Sequence, residues 1–287
     1  YCAKTDAFLK TILIETNDRW VEPQKPTRFI DSDRFIYNTD NRDGYKNLYI
    51  HTLSKGTTER LTKVDADVDY VAHNDKSVFY YSAEISPVEQ HLFVVSLRNG
   101  KAKQLTRGEG WHNCTISPDG KQIAFISRGE IFVTSVDYTT TKQITTTAES
   151  EASPSFGADN RTLAYASERN GYWNIYTAKI VRDEEPNFAN ATIIEEKPLF
   201  KDSKIDRTTP KFSPDGKELA FVENRDRLMV MDMATGKVRQ VTDGSKHYST
   251  TGSLDYHWSP DGKWFALSYT GNGHDPYSDI GLVSAQG

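Results

Sequence analysis

Along this chain, apolar residues come in short alternating runs, and clusters of turn-forming residues punctuate them. Ser77-Val78-Phe79-Tyr80 and Thr162-Leu163-Ala164-Tyr165 are typical runs. Ser-Pro-Asp-Gly-Lys is the punctuation, at 117–121, 213–217 and 259–263. Brief alternation bounded by Pro, Asp and Gly reads as strand, tight turn, strand. Pro presets φ, Asp bonds back to the backbone, and Gly accepts positive φ.

Degenerate copies of the turn fill the gaps: Asp31 to Arg34, His73 to Lys76, and Gly157 to Arg161. The basic residue closing each turn is Arg34, Lys76, Lys121, Arg161, Lys217 or Lys263, at intervals of 42, 45, 40, 56 and 46 residues. A third strand follows in every unit: Asn47-Leu48-Tyr49, His91-Leu92-Phe93, Glu130-Ile131-Phe132, Asn174-Ile175-Tyr176, Leu228-Met229-Val230 and Asp279 to Leu282. A fourth reads Arg60-Leu61-Thr62, Gln104-Leu105-Thr106, Gln143-Ile144-Thr145 and Gln240-Val241-Thr242. The long interval is expected to hold an insertion over 181–206. This period and strand count predict an all-β chain, a six-bladed β-propeller of four-stranded antiparallel blades. The expected blades run over 19–63, 65–108, 110–147, 150–205, 206–244 and 254–287, in one domain spanning 1–287. The sixth unit has no fourth strand before Gly287, while Leu9 to Glu15 has no unit of its own. The N-terminal strand, within 7–16, is therefore expected to complete the last blade and close the ring.

First strands line the central channel of such a fold, with side chains alternating along them. Counting five back from each closing basic residue gives Phe29, Val71, Ile116, Phe156, Phe212 and Trp258, expected to pack between blades. Six back gives Arg28, Tyr70, Thr115, Ser155, Lys211 and His257, all able to hydrogen-bond. Eight back, expected on the same face, gives Pro26, Val68, Asn113, Ser153, Thr209 and Asp255. The candidate pore-lining binding residues are therefore Arg28, Tyr70, Thr115, Ser155, Lys211, Asp255 and His257. A wet, polar lining that binds nothing accounts for the same column.

Composition fits this picture. The hydrophobic fraction is 37%, yet 13 Phe, 5 Trp and 15 Tyr are too many aromatics for a disordered chain. Lys and Arg total 35 against 40 Asp and Glu, a net charge of −5 without a basic cluster, which argues against a nucleic-acid partner. No apolar run approaches the length of a membrane-spanning helix. Residues 1–14 lack the signal-peptide pattern, and a first residue other than Met suggests a processed or excised chain. Cys2 and Cys114 make neither a disulfide framework nor a zinc site, and leave the compartment unread. Neither Gly-x-Ser-x-Gly, His-Glu-x-x-His, Gly-x-Gly-x-x-Gly nor a P-loop occurs. Residues 38–44 fail as a calcium loop, because Arg42 occupies a ligand position. Asn41 to Tyr45 and Glu168 to Tyr172 share a pattern, read as a turn between second and third strands with the Arg paired locally. Asn113-Cys114-Thr115 and Asn190-Ala191-Thr192 match the glycosylation pattern, the first in an inner strand with no room for a glycan. Trp111-His112 falls near a channel mouth, where packing or solvation is the ordinary role of a His. Catalysis inside a propeller by paired axial carboxylates has only Asp255 to draw on. The chain is expected to be a monomer without catalysis, cofactor or metal.

Several segments resemble known families. Asn17 to Pro23, Asn41 to Tyr49, Ser82 to Leu97 and Gly110 to His112 look like the propeller of the dipeptidyl peptidase IV family, over about residues 8–127. Arg128 to Val136, Ala166 to Tyr176, Lys211 to Asn224 and Tyr256 to Trp264 resemble the N-terminal propeller of tricorn-like proteases, over about 117–287. The two meet near Ser117 to Lys121. A chimera of two half-propellers, engineered or natural, would produce this, and so would one propeller whose repeats drifted unequally. In both families catalysis belongs to a domain C-terminal to the propeller. The Glu pair that holds a substrate amino terminus in the first family has no counterpart; Glu184-Glu185 and Glu195-Glu196 lie in the insertion. The resemblance implies a non-catalytic scaffold or a peptide gate, with peptides or a protease domain as partners.

Overall fold

The computed structural model describes residues 11–12, 14, 16, 28–40, 42, 44–201, 204–245, 247, 253–270 and 279–287. The chain divides into two compact units, 1–113 and 114–287. The first holds two four-stranded antiparallel sheets: β1 (Arg28–Phe29), β2 (Arg34–Thr39), β3 (Asn47–Thr52) and β4 (Thr57–Arg60), then β5 (Val68–His73), β6 (Ser77–Ser82), β7 (His91–Ser96) and β8 (Ala102–Gln104). The second holds four: β9 (Cys114–Ile116), β10 (Gln122–Ser127), β11 (Glu130–Ser135) and β12 (Thr141–Gln143); β13 (Glu151–Phe156), β14 (Thr162–Ser167), β15 (Asn174–Ile180) and β16 (Ile194–Pro198); β17 (Arg207–Phe212), β18 (Glu218–Glu223), β19 (Arg227–Asp232) and β20 (Val238–Gln240); and β21 (Tyr256–Trp258), β22 (Trp264–Tyr269) and β23 (Asp279–Ser284). Within each sheet the strands pair in chain order. This is the six-bladed β-propeller architecture, with no helix beyond two 3-10 turns, Arg169–Gly171 and Phe188–Asn190, among the described residues.

The turns form by the chemistry their residues suggest. Ser117 Oγ donates to Asp119 Oδ1 at 2.7 Å, Asp119 Oδ1 accepts from the Lys121 N–H, and Ser117 Oγ accepts from the Gln122 N–H. Gly120 takes φ 71°. Ser213 and Asp215, and Ser259 and Asp261, repeat every bond. Those bonds, the Ser hydroxyl first, hold the Asp215 and Asp261 carboxyls below their usual range.

The aliphatic-Thr pair of the fourth strand is a clasp. The Leu61 N–H donates to Leu48 O, and the Leu48 N–H donates to Thr62 Oγ1 at 2.9 Å. Leu105-Thr106 on Leu92, Ile144-Thr145 on Ile131, and Val241-Thr242 on Leu228 do the same. Thr145 is fully buried. Thr145→Val should therefore cost about 1–3 kcal/mol by orphaning the Ile131 N–H. Thr145→Ser should lose much less, and urea titration separates the two.

The fourth sheet corrects one expectation. Residues 181–206 are not all insertion, since β16 pairs with β15 as that sheet's outer strand. Its Lys197-Pro198-Leu199 lacks the clasp Thr, so the Ile175 N–H donates to Asn174 Oδ1 instead. The excess chain is 181–193. Arg161 gathers the carbonyls of Arg182, Asp183 and Glu185 there, and Phe188 is fully buried.

Apolar clusters fill the space between successive sheets within each unit. Ile36, Leu48 and Leu61 meet Val78, Tyr80 and Phe93 in the first unit. In the second, Ile131 and Val133 meet Leu163 and Tyr165, Ile175 meets Leu219 and Phe221, and Leu228 and Val230 meet Tyr256 and Phe265.

Candidate functional site

All six residues of the six-back column lie on the first strand of a sheet. In the first unit, the Arg28 guanidinium stands 5.9 Å over the Tyr70 ring. Tyr70 Oη is 2.7 Å from His73 Nδ1. Burial pushes the Tyr70 phenol up to about 12. Burial, then the Arg28 charge, lowers His73 against the pull of Asp75. Both partners are thus neutral near pH 7, and they share one hydrogen bond whose direction follows the imidazole tautomer.

In the second unit the column ties neighbouring first strands together. Thr115 Oγ1 on β9 donates to Pro154 O on β13 at 3.0 Å. Ser155 Oγ on β13 accepts from the Phe212 N–H on β17 at 3.5 Å. Lys211 Nζ on β17 donates to Tyr256 O on β21, 4.6 Å over that ring and 3.6 Å from Asp255 Oδ1. Burial lowers the Lys211 ammonium, with Asp255 opposing. Tyr256 Oη donates back to Thr209 O at 2.6 Å, and Trp258 Nε1 to Lys211 O at 3.0 Å. His257 is exposed.

Counting by twos along these strands fails at bulges. In β13 the register shifts between Ala152 and Ser155, and in β17 between Thr208 and Lys211. Each shift sets Ser153-Pro154 or Thr209-Pro210 against one partner residue. Proline, lacking an N–H, belongs at such places. Ser153 and Thr209 turn left-handed, at φ 53° and 50°. In these two strands the extra residue reverses the alternation, so Ser153 and Thr209 do not share the face of Ser155 and Lys211. In β5 the shift falls at Val71, beyond both Val68 and Tyr70, so the alternation between those two is kept. Val68 is fully buried, while Asn113 and Asp255 are exposed; Pro26 lies outside the described residues. In the five-back column only Phe156 is buried. Phe29 is 55% exposed, and its ring meets Phe35 of its own sheet at 5.7 Å.

The shared turn between second and third strands pairs its Arg with an aromatic ring. Arg42 lies 5.5 Å over Tyr49 and Arg169 4.4 Å over Tyr176, each on the residue seven further on. Arg169 also reaches Glu151 Oε1 at 3.3 Å and Glu196 Oε2 at 2.9 Å. Glu196 further accepts from the Tyr165 hydroxyl, and Glu151, fully buried, from Ser167 and Thr147. In the next sheet the signs reverse: Arg207, at the place of Glu151, donates Nε to Glu223 Oε1 at 2.9 Å. Charges placed at strand ends carry no motif, so only cross-sheet geometry brings them together. Among the described residues no group of His, Cys, Asp and Glu is placed to hold a metal ion. None of the described helices is long and apolar enough to cross a membrane.

Comparisons with known proteins agree with this architecture. The family model of the dipeptidyl peptidase IV N-terminal region matches residues 1–124. The Tol-Pal system protein TolB of Francisella tularensis (strain WY96-3418) is 26% identical over 227 residues, covering 75% of this chain and 47% of TolB. The chain thus spans about half the length of the curated relatives it matches. An oligogalacturonate lyase in complex with manganese superposes with a TM-score of 0.62 at 17% identity, over 88% of this chain and 74% of the lyase. A puromycin-hydrolyzing peptidase of Mycobacterium tuberculosis gives 0.59 at 16%, over 90% and 43%. The tricorn protease reaches 0.43 at 14% identity, over 90% and 24%, too low to add weight. The chain is a β-propeller related to protease propeller domains, as the first resemblance implied, and to TolB-like propellers, which no sequence reading anticipated.

Proposed function

We propose that the chain is a non-catalytic propeller that presents a rigid binding scaffold. The supporting observation is the use made of the column. Thr115, Ser155 and Lys211 spend their polar groups on neighbouring first strands rather than leaving them aimed at a ligand. Among the described residues, the acid–base partner that a column residue does find, His73 beside Tyr70, sits under a cation and not beside a Ser or Cys. The likeness to a protein of the Tol-Pal system supports protein partners for such a scaffold.

The dipeptidyl peptidase IV match favours a second reading. There the chain is the peptide-binding or gating domain of a dipeptidyl peptidase IV-like or tricorn-like protease, with hydrolysis carried out elsewhere. One set of measurements separates the two. Short peptides with free termini are titrated by calorimetry, and dipeptidyl p-nitroanilides are tested for cleavage. The scaffold reading expects neither binding below about 1 mM nor hydrolysis above buffer. A tighter complex, weakened tenfold by Lys211→Met, would establish the gate instead. As to origin, the TolB match is longer than either unit, so it runs across the junction near residue 117. That favours one propeller with unequally drifted repeats over a chimera.

A further inference from the structure

Among the described residues of the first unit, Arg28 is a half-buried cation without a counter-charge. Its guanidinium lies 5.9 Å over the Tyr70 ring and forms no ion pair with any described residue. Other half-buried arginines are paired: Arg169 meets Glu196 at 2.9 Å, and Arg239 meets Glu218 at 2.6 Å. A guanidinium holds its N–H donors in one plane, in a fork that matches a carboxylate two bonds at a time. At Arg28 no side-chain hydrogen bond to a described residue uses that fork.

His73 stands beside it with a second donor. Its Nδ1 is 2.7 Å from Tyr70 Oη, and its Nε2 forms no hydrogen bond with a described residue. With its proton on Nε2, the neutral imidazole takes the Tyr70 hydroxyl at Nδ1 and presents a free N–H. The three groups sit together. The His73 and Tyr70 ring centres are 6.1 Å apart, and His73 feels the charges of both Arg28 and Asp75. Charge then selects the ligand. Arg28 supplies one positive charge, and His73 is neutral. A single carboxylate balances that charge, whereas a phosphate dianion would bring excess negative charge up to Asp75.

We propose that Arg28, Tyr70 and His73 form a binding site for a carboxylate group. The guanidinium and His73 Nε2 are its donors, and Tyr70 positions both. Two sources carry such a group: a free small carboxylate, and the C-terminus of a peptide or protein. The site rests on neither reading of function. It does not involve Lys211, and two charge-assisted bonds give a dissociation constant of about 10 mM, weaker than a gate requires.

The test is nitrogen NMR of the imidazoles in the full chain at neutral pH, with the His73 signals assigned by their loss in His73→Gln. Acetate, N-acetyl-Ala-Ala with a free C-terminus, its C-terminal amide and inorganic phosphate are titrated at constant ionic strength. Acetate and the free-acid peptide should move the His73 signals along a saturating curve. Arg28→Met should weaken both at least tenfold. Arg28→Lys keeps the charge but not the fork, and should weaken them by about threefold. The amide should have no effect, and phosphate should bind more weakly than acetate. Equal affinity for acetate and the free-acid peptide assigns the site to free carboxylates; a peptide preference of fivefold or more assigns it to C-termini. A shift that never saturates, an equal response to the amide, tighter binding of phosphate, or unchanged binding in Arg28→Met overturns the proposal. Circular dichroism checks that Arg28→Met folds; if it does not, Arg28→Lys carries the comparison, and unchanged binding there overturns the proposal equally.

Discussion

Removing residues 1–15 should lower the melting temperature by roughly 10 °C and drive the chain to associate. The expectation rests on the sequence reading in which the N-terminal strand, within 7–16, completes the last blade. Ile280 and Leu282 are mostly exposed, and among the described residues no fourth strand pairs with theirs. Covering each fully contributes about 1.5–3 kcal/mol, and in a domain of this size each kcal/mol moves the midpoint by about 2–4 °C. The backbone edge adds a second effect, because its unpaired N–H and C=O groups recruit strands from other molecules once the intramolecular one is gone. Differential scanning calorimetry and light scattering on both chains read the two effects separately. An unchanged midpoint with no rise in scattering would show that the edge is covered by something else. Adding Ile280→Lys and Leu282→Thr to the truncated chain should suppress the association without restoring the midpoint.

The repeat was legible because turn chemistry and alternation are local. Ser-Pro-Asp-Gly-Lys needs only its own side chains to form, and the three copies form the same bonds. The aliphatic-Thr strand was visible as a pattern, but its role was not, since the Thr hydroxyl serves an N–H 14 residues away. The fourth sheet's outer strand was read as insertion for the same reason: Asn174 supplies the acceptor, so no Thr marks the strand. The first-strand positions were half legible. Six-back counting stays close to the turn and reaches the first strands correctly. Eight-back counting crosses Ser153-Pro154 and Thr209-Pro210, where left-handed residues insert an extra position. Pro after Ser or Thr inside a predicted strand is the signal that could have marked these bulges.

Arg207→Ala should cost about 3–5 kcal/mol, the largest loss from any single side chain in the second unit. Arg207 and Glu223 are buried, with Nε and Nη2 at 2.9 and 2.8 Å from Glu223 Oε1, and the guanidinium lies 3.9 Å over the Phe200 ring. Truncation leaves the Glu223 carboxylate buried without its main partner, and an uncompensated buried charge costs far more than the pair contributes. Arg227, 3.8 Å from the other carboxylate oxygen, is too distant and too exposed to replace it. Because the penalty belongs to the orphaned charge, Arg207→Met combined with Glu223→Leu should recover most of the loss. Urea titration of the two variants measures this directly. The same logic run with signs reversed applies one sheet earlier, where Glu151 is the buried member and Arg169 its cation. There the loss on Arg169→Ala should be smaller, since Ser167 and Thr147 still donate to Glu151. Equal losses at the two sites would mean that burial of the strand ends, and not the unpaired charge, sets the cost.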